Sequence, residues 1–174
     1  MPDDCALPYL NAHAKGGRIL DIGCGPGAIG EGIDPRSYHD YLGVDISDVA
    51  IEKARARSSR PGNLYLAGDM WTFNPAGSYD VIFFGDSLYN FSFSDGKEIL
   101  ERYSAYLNED GVFVVRTWLS LNRARAIIEL IESDYEVVEK RSFTFRSPLM
   151  VVVFKPKILV AAGQALRRFR PASA

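Results

Sequence analysis

Residues 18–30 of this chain read RILDIGCGPGAIG, and this segment constrains the fold more than any other. A short apolar run, broken by Asp21, leads into three glycines at alternate positions, Gly23, Gly25 and Gly27. The run predicts a buried strand. The glycines predict a loop, because glycine tolerates positive φ and lets the backbone approach a ligand closely. Burying an unpaired carboxylate is costly, so Asp21 and the glycines are explained together if a cationic ligand docks against the loop.

The sequence of this loop is compatible with two kinds of ligand, a dinucleotide or S-adenosylmethionine. Residues 25–30 also match G-x-G-x-x-G, the dinucleotide fingerprint, in which a pyrophosphate lies over a helix N-terminus. Asp21 would repel such an anion. Gly30, Gly32 and Pro35 also make the segment after the loop a poor helix. S-adenosylmethionine has no phosphate and carries an ammonium that Asp21 could balance, so it fits the loop better.

Residues 21–27, DIGCGPG, match (D/E)-x-G-x-G-x-G, the first motif of the class I S-adenosylmethionine-dependent methyltransferases. The chain resembles that family over residues 18–154. The resemblance implies a methyltransferase that uses S-adenosylmethionine. It also implies a single Rossmann-like, doubly wound α/β fold, whose seven-stranded, mostly parallel sheet ends in a C-terminal antiparallel hairpin.

The order of elements along the chain predicts the same architecture. Strands are predicted at residues 18–22, 41–46, 63–67, 79–84 and 112–118, from residue 135 onward, and at residues 149–154. Helices are predicted at residues 47–59, 94–107 and 121–131. Ser47 is predicted to cap the first of these helices, and Ser94 or Asp95 the second. Such alternation predicts a mostly parallel sheet covered on both faces. The last two strands must be antiparallel, since only a short turn at residues 146–148 joins them.

Composition limits the partners and the compartment. The chain has 174 residues, enough for one domain with a hydrophobic core of its own. Its net charge of −2 makes a nucleic-acid partner unlikely on bulk electrostatics. Cys5 and Cys24 offer neither a disulfide framework nor a metal site. The sequence shows no signal peptide and no apolar run long enough to span a membrane, which predicts a cytoplasmic protein.

Three divisions of the chain are expected. Residues 18–156 form the methyltransferase domain, and residues 157–174 form a basic, flexible tail. Residues 1–17 form an N-terminal segment that, by the family resemblance, covers the cofactor and brings His13 towards it.

Acidic residues recur where the predicted strands end. Asp21, Asp45, Asp69 and Asp86 each follow or close an apolar run. In an open α/β sheet, ligands bind outside the carboxyl ends of the strands, so these four acids predict the ligand site. Asp45 is suited to accept hydrogen bonds from both hydroxyls of a ribose. Asp80, at the start of a strand, is expected to be a solvated turn residue.

The family resemblance assigns further contacts with the cofactor. It implies that Ile46 lies against adenine, that Asp69 accepts from the adenine amino group and that the Met70 backbone meets the ring. It also implies that Gly85 lies beside the methionine moiety, where the fourth strand ends.

The residues after the fourth strand are the catalytic candidates. Methyl transfer is an in-line displacement that depends on alignment, and a base is needed only where the acceptor must lose a proton. Asp86 is predicted to act as that base or to orient the acceptor, and Tyr89 to form a wall or a hydrogen bond. Arg116 and Trp118 are predicted to line the acceptor pocket.

The sequence favours a small-molecule acceptor, such as a saccharide or a natural product. The Asn/Asp-Pro-Pro-Tyr/Phe motif of enzymes that methylate protein or DNA nitrogens is missing after the fourth strand. No large insertion precedes the sixth strand, so the acceptor site is predicted to be open or completed by a second copy in a homodimer. Two alternatives remain at this point, an NAD-type oxidoreductase and a non-catalytic cofactor-binding domain.

Overall fold

A computed structural model describes residues 5–144 and 147–157 of the chain. It contains one seven-stranded sheet with the strand order β3-β2-β1-β4-β5-β7-β6. The strands are β1 (Gly17–Ile22), β2 (Tyr38–Asp45), β3 (Asn63–Ala67), β4 (Tyr79–Gly85), β5 (Leu107–Trp118), β6 (Tyr135–Thr144) and β7 (Pro148–Pro156). The first five strands run parallel, and β7 lies antiparallel between β5 and β6. The predicted fold class is therefore confirmed.

Helices cover both faces of the sheet. They are α1 (Leu7–Ala14), α2 (Ala28–Gly32), α3 (Asp48–Arg57), α4 (Phe93–Ser104) and α5 (Asn122–Asp134). Alternate strand residues point to opposite faces, so Ile19 packs in one apolar cluster with α1, α2 and α3, whereas Leu20 packs in a second with α4 and α5. Burial on both faces explains why the strands read as nearly continuous apolar runs.

Two local predictions need correction. The N-cap of α4 is Ser92, not Ser94 or Asp95, because the Ser92 hydroxyl and the Asp95 carboxylate each accept from the other residue's backbone N–H. Strand β5 begins at Leu107, before the predicted start at residue 112, and contains a bulge where pairing passes from Tyr79 with Leu107 to Val81 with Val112. Strand β6, predicted from Tyr135 onward, runs to Thr144.

The described part of the N-terminal segment belongs to the core. Leu10 and Ala14 of α1 are fully buried against the sheet. His13 lies on the same helix, with its Nε2 atom 3.0 Å from Oε1 of Glu139 on the edge strand β6. The apolar side chains of α1 are therefore used in packing, and the expectation that residues 1–17 cover the cofactor stays a prediction. Apart from Lys157, the predicted basic tail lies outside the described residues.

Among the described residues, no helix has the length and apolar character needed to cross a membrane.

Asp80 is a structural residue and not the solvated turn residue expected. Its Oδ2 atom accepts from the Arg18 backbone N–H at 2.7 Å, and its Oδ1 atom accepts from Asn108 Nδ2 at 2.8 Å. The carboxylate therefore joins the beginnings of β1 and β4 to the bulge of β5.

Asp80→Ala will lower the free energy of unfolding by about 2 kcal/mol, the usual cost of leaving partly buried donors without an acceptor. Asp40→Ala is the matched control. Asp40 pairs with the same arginine, at 3.4 Å from Arg18 Nε, but more than half of its side chain is exposed. Such a pair contributes about 0–1 kcal/mol. Urea denaturation of the two variants measures the difference, and equal midpoints would refute the structural role of Asp80.

Candidate active site

Two neighbouring cavities open at the carboxyl ends of the parallel strands. The larger holds about 360 Å³ and the smaller about 220 Å³, and Gly23 and Gly85 border both. The larger is lined by Ile22, Gly23, Val44, Asp45, Ile46, Gly68, Asp69, Met70, Gly85, Asp86, Ser87, Asn90 and Phe91. The smaller is lined by Asp21, Gly23, Cys24, Gly25, Pro26, Ala28, Ile29, Phe83, Gly85 and Arg116.

The glycine-rich loop fits closely against the end of β4. Gly23 has a φ of 83°, and a Cβ added there would lie 2.8 Å from the Cβ of Ser87. The Ser87 hydroxyl donates to the Ile22 carbonyl at 2.9 Å, which fixes that approach. Gly27 lies outside the lining of both cavities. It is the N-cap of α2, with a φ of 75°, and it packs beside Ala54 and Tyr65.

Asp21 is a buried carboxyl group with one oxygen in need of a partner. The residue is 1% exposed. Its Oδ2 atom accepts from the Tyr41 hydroxyl at 2.5 Å, whereas Oδ1 has no hydrogen-bond partner among the described residues. Burial raises the pKa of Asp21 from its usual 3.8 to about 7, even though the Tyr41 bond and the Arg116 charge both lower it. A cation in the smaller cavity would stabilise the ionised form.

Asp45 shapes the loop as well as lining the larger cavity. Its Oδ2 atom accepts from the Gly25 N–H at 2.9 Å, and its Oδ1 atom accepts from the Ser47 N–H at 2.9 Å. A carboxylate has about four lone-pair sites, so these two bonds leave capacity for hydroxyl donors from a ligand.

The lining of the larger cavity also combines acidic and apolar groups from the segments that follow β2 and β3. Ile46, directly after β2, is 72% exposed. Asp69 accepts from the Trp71 N–H through Oδ1 at 2.9 Å, and the Met70 carbonyl accepts from the Tyr103 hydroxyl at 3.0 Å. An apolar ring bearing a hydrogen-bond donor would match this lining.

Asp86 and Arg116 form an ion pair where the cavities meet. Arg116 Nη2 donates to Asp86 Oδ2 at 2.6 Å, and the Asp86 N–H donates to the Arg116 carbonyl at 2.9 Å. Asp86 has a φ of 57°, a conformation that aspartate adopts more readily than most residues. The pair holds the Asp86 carboxylate at the larger cavity, while Arg116 borders the smaller one.

Tyr89 belongs to the short turn Leu88–Asn90 after β4. It is half-buried and is outside the lining of both cavities. Its pKa is raised, first by burial and then by the charge of Asp86, while Arg116 lowers it. The two predicted catalytic residues therefore lie within electrostatic range of each other.

Other candidates are placed away from the cavities or are unreactive. Trp118 packs against the buried cluster under α1. His39 Nδ1 lies 2.7 Å from the Gly16 carbonyl, near the start of the first strands. Cys24 borders the smaller cavity, but burial raises the pKa of its thiol far above the usual value, so it is a poor nucleophile.

Sequence reasoning missed Tyr41 and the aromatic pair of Trp71 and Phe91. Tyr41 lies two residues before Gly43, the residue that pairs with Asp21 across β1 and β2, so the strand register is the signal that could have found it. The rings of Trp71 and Phe91 meet edge to face, with centroids 5.7 Å apart, and Phe91 borders the larger cavity. Trp71 follows β3 and Phe91 follows β4, and neither belongs to a sequence motif that would have predicted a place at the site.

The fold and the carboxylate-lined cavities at the strand ends define a class I S-adenosylmethionine-dependent methyltransferase. Residues 5–148 match the family described as a methyltransferase domain, and the chain belongs to that family. The structure of the N-methyltransferase NodS from Bradyrhizobium japonicum WM9, in complex with S-adenosyl-L-homocysteine, is similar with a TM-score of 0.77 at 19% identity. The match covers 88% of this chain and 85% of that one. The family and the cofactor class predicted from the sequence are thereby confirmed.

Two curated relatives are similar in sequence. Nodulation protein S of Azorhizobium caulinodans is 28% identical over 134 residues, which cover 72% of this chain and 64% of the relative. Trans-aconitate 2-methyltransferase of Rhizobium etli is 32% identical over 100 residues, which cover 57% of this chain and 38% of the relative. The chain thus spans less than two thirds of the length of these two relatives.

Proposed function

We propose that this chain transfers a methyl group from S-adenosylmethionine to a small-molecule acceptor, of the saccharide or natural-product kind. The observation that carries the proposal is the pair of neighbouring cavities. One contains a buried carboxyl group with an oxygen that has no partner among the described residues, and the other combines three carboxylates with apolar side chains, among them the exposed Ile46. When bound, the cofactor supplies an electrophilic methyl group on a sulfonium.

The smaller cavity fits the amino-acid end of the cofactor. Asp21 balances the ammonium through Oδ1, the buried atom that has no partner among the described residues. Gly23 and Gly25 let the backbone lie against this end without a Cβ. Gly85 borders both cavities and contributes no side chain there.

The larger cavity fits the nucleoside end. Asp45 accepts from the ribose hydroxyls, Asp69 accepts from the adenine amino group, and Ile46 and the Met70 backbone contact the ring. The exposed area of Ile46 would be removed from water by such a contact, a gain of about 25 cal/mol per Å² of apolar surface.

Asp86 and Tyr89 act on the acceptor. Asp86 orients the acceptor and takes its proton where one must be lost, while Arg116 holds the carboxylate in place. Tyr89 forms a wall or a hydrogen bond nearby. NodS is described as an N-methyltransferase, and an amine that is protonated at neutral pH must lose a proton before its nitrogen can attack. That requirement supports a base at this position.

The proposal is tested by incubating the chain with methyl-labelled S-adenosylmethionine and a panel of amines, saccharides and phenolic natural products. We expect label in at least one small-molecule product and none in protein or DNA. Cofactor binding without any labelled product would favour a non-catalytic binding domain. Binding of NAD in place of S-adenosylhomocysteine would favour an oxidoreductase.

Asp45→Ala will weaken S-adenosylhomocysteine binding by about 1–3 kcal/mol, because charge-assisted bonds to the ribose are lost. Calorimetry measures the change, and thermal unfolding checks that the loop survives the loss of the Gly25 bond. Asp48→Ala is the control, since Asp48 is exposed in the first turn of α3 and lies outside the lining of both cavities. Unchanged affinity of Asp45→Ala would show that the ribose assignment is wrong.

A further inference from the structure

The smaller cavity is bordered by two buried groups of opposite charge. Asp21 is 1% exposed and Arg116 is 6% exposed, and the other lining residues are glycines, a proline, a cysteine and apolar side chains. The Arg116 charge lowers the pKa of Asp21, so the two groups lie within electrostatic range. Asp21 is hydrogen-bonded to Tyr41 and Arg116 is paired with Asp86. A ligand that carries an ammonium and a carboxylate on the same carbon would match both charges.

The position of Arg116 on β5 explains how its side chain reaches the cavity. Arg116 pairs in register with Gly85 of β4. A Cβ added at Gly85 would lie 2.7 Å from the ring of Phe83, which requires glycine here, and 3.7 Å from Arg116 Nη2, an ordinary contact distance. The guanidinium therefore lies directly beside Gly85, which borders both cavities.

The ion pair with Asp86 is compatible with a second anion. A guanidinium has five N–H donors in a fixed planar arrangement, so it can pair with two carboxylates at once.

We propose that Arg116 binds the carboxylate at the amino-acid end of the cofactor, so that the smaller cavity holds a zwitterion between Asp21 and Arg116. This inference rests on the proposed binding of S-adenosylmethionine. It adds to the reaction a residue that distinguishes cofactors by their carboxylate.

The first test compares ligands in the unaltered chain. S-adenosylhomocysteine should bind more tightly than its decarboxylated analogue by about 10- to 150-fold, the range for hydrogen bonds to charged groups. Equal affinities for the two ligands would overturn the inference without any need for a variant. If neither of these ligands nor 5′-methylthioadenosine binds, the proposed function itself fails.

The second test uses Arg116→Met, which keeps an unbranched apolar stem and removes the charge. The variant should lose most of the preference for S-adenosylhomocysteine while binding the decarboxylated analogue within about twofold of the unaltered chain. Arg36→Met is the control, since Arg36 is exposed, pairs with Asp34 and lies outside the lining of both cavities. It should change the affinity for neither ligand. Asp86→Asn should keep the preference for S-adenosylhomocysteine, because Arg116 and not Asp86 contacts the carboxylate. Loss of the preference in Asp86→Asn would mean that Arg116 acts through Asp86.

Two results would contradict the role of Arg116. Equal weakening of both ligands by Arg116→Met would assign the arginine to packing alone. Unchanged binding of S-adenosylhomocysteine, together with a raised KM for an acceptor identified in the labelling screen, would assign Arg116 to the acceptor.

Discussion

Asp86→Asn will lower the turnover number by about 10²- to 10⁴-fold, the usual contribution of general acid–base catalysis. Asparagine has nearly the same shape as aspartate and still offers an oxygen to Arg116, so the loop after β4 should keep its conformation. What is lost is the capacity to take a proton from the acceptor. Initial rates with an acceptor from the labelling screen, and calorimetry with S-adenosylhomocysteine, measure the two effects separately.

The affinity of Asp86→Asn for S-adenosylhomocysteine should stay within about threefold of the unaltered chain, since only the acceptor loses a partner. Asp110→Asn is the control, because Asp110 is an exposed acid in the bulge of β5. A loss of cofactor affinity larger than the loss of turnover would place Asp86 among the cofactor contacts and refute its role as the base.

Asp21→Asn will weaken S-adenosylhomocysteine binding at pH 7.5 by about 3 kcal/mol or more, the cost of breaking a buried charge pair. The substitution keeps an oxygen that can accept from Tyr41, so the packing of β1 against β2 is preserved. Binding of 5′-methylthioadenosine, which lacks the ammonium, should change little and serves as the matched ligand control.

The same carboxyl group makes cofactor binding depend on pH. Since the pKa of Asp21 is about 7 in the ligand-free fold, the group is mostly protonated below that pH. A cationic ligand binds the ionised form and must displace the proton. Affinity should therefore rise about tenfold per pH unit up to about 7 and level off above it. The ligand's own ammonium keeps its proton up to about pH 7.7 or higher.

The groups around Asp21 do not alter the sign of this dependence. The Arg116 charge lowers the pKa of Asp21 and the Asp45 charge raises it, both less than burial does. A raised folded-state pKa means that the ligand-free chain is destabilised as pH rises from 3.8 towards about 7. The increase in melting temperature caused by S-adenosylhomocysteine should grow over that interval. A pH-independent affinity in the unaltered chain would contradict the role of Asp21.

Much of the fold and the position of the site follow from local sequence. The apolar runs stop at Asp21, Asp45 and the Gly85–Asp86 pair, and parallel strands bring their carboxyl ends to one edge of the sheet. The glycine-rich loop was predictable because positive φ and close backbone approach both favour glycine.

The remaining features depend on contacts between residues far apart in sequence. Tyr41 meets Asp21 only through the register of β1 and β2. Asp80 is held by groups from β1 and from the bulge of β5, so its local sequence resembles that of a surface turn. The packing of α1 against the sheet likewise depends on the apolar residues that other elements leave exposed there, which no segment of sequence shows by itself.

Titration of the unaltered chain with S-adenosylhomocysteine at pH 7.5 tests the central claim most directly. One-to-one, saturable binding that Asp21→Asn weakens, with no heat on titration with NAD, is the result expected for a methyl-donor site between these carboxylates. Absence of S-adenosylhomocysteine binding to the folded chain, or equal binding by Asp21→Asn, would contradict it.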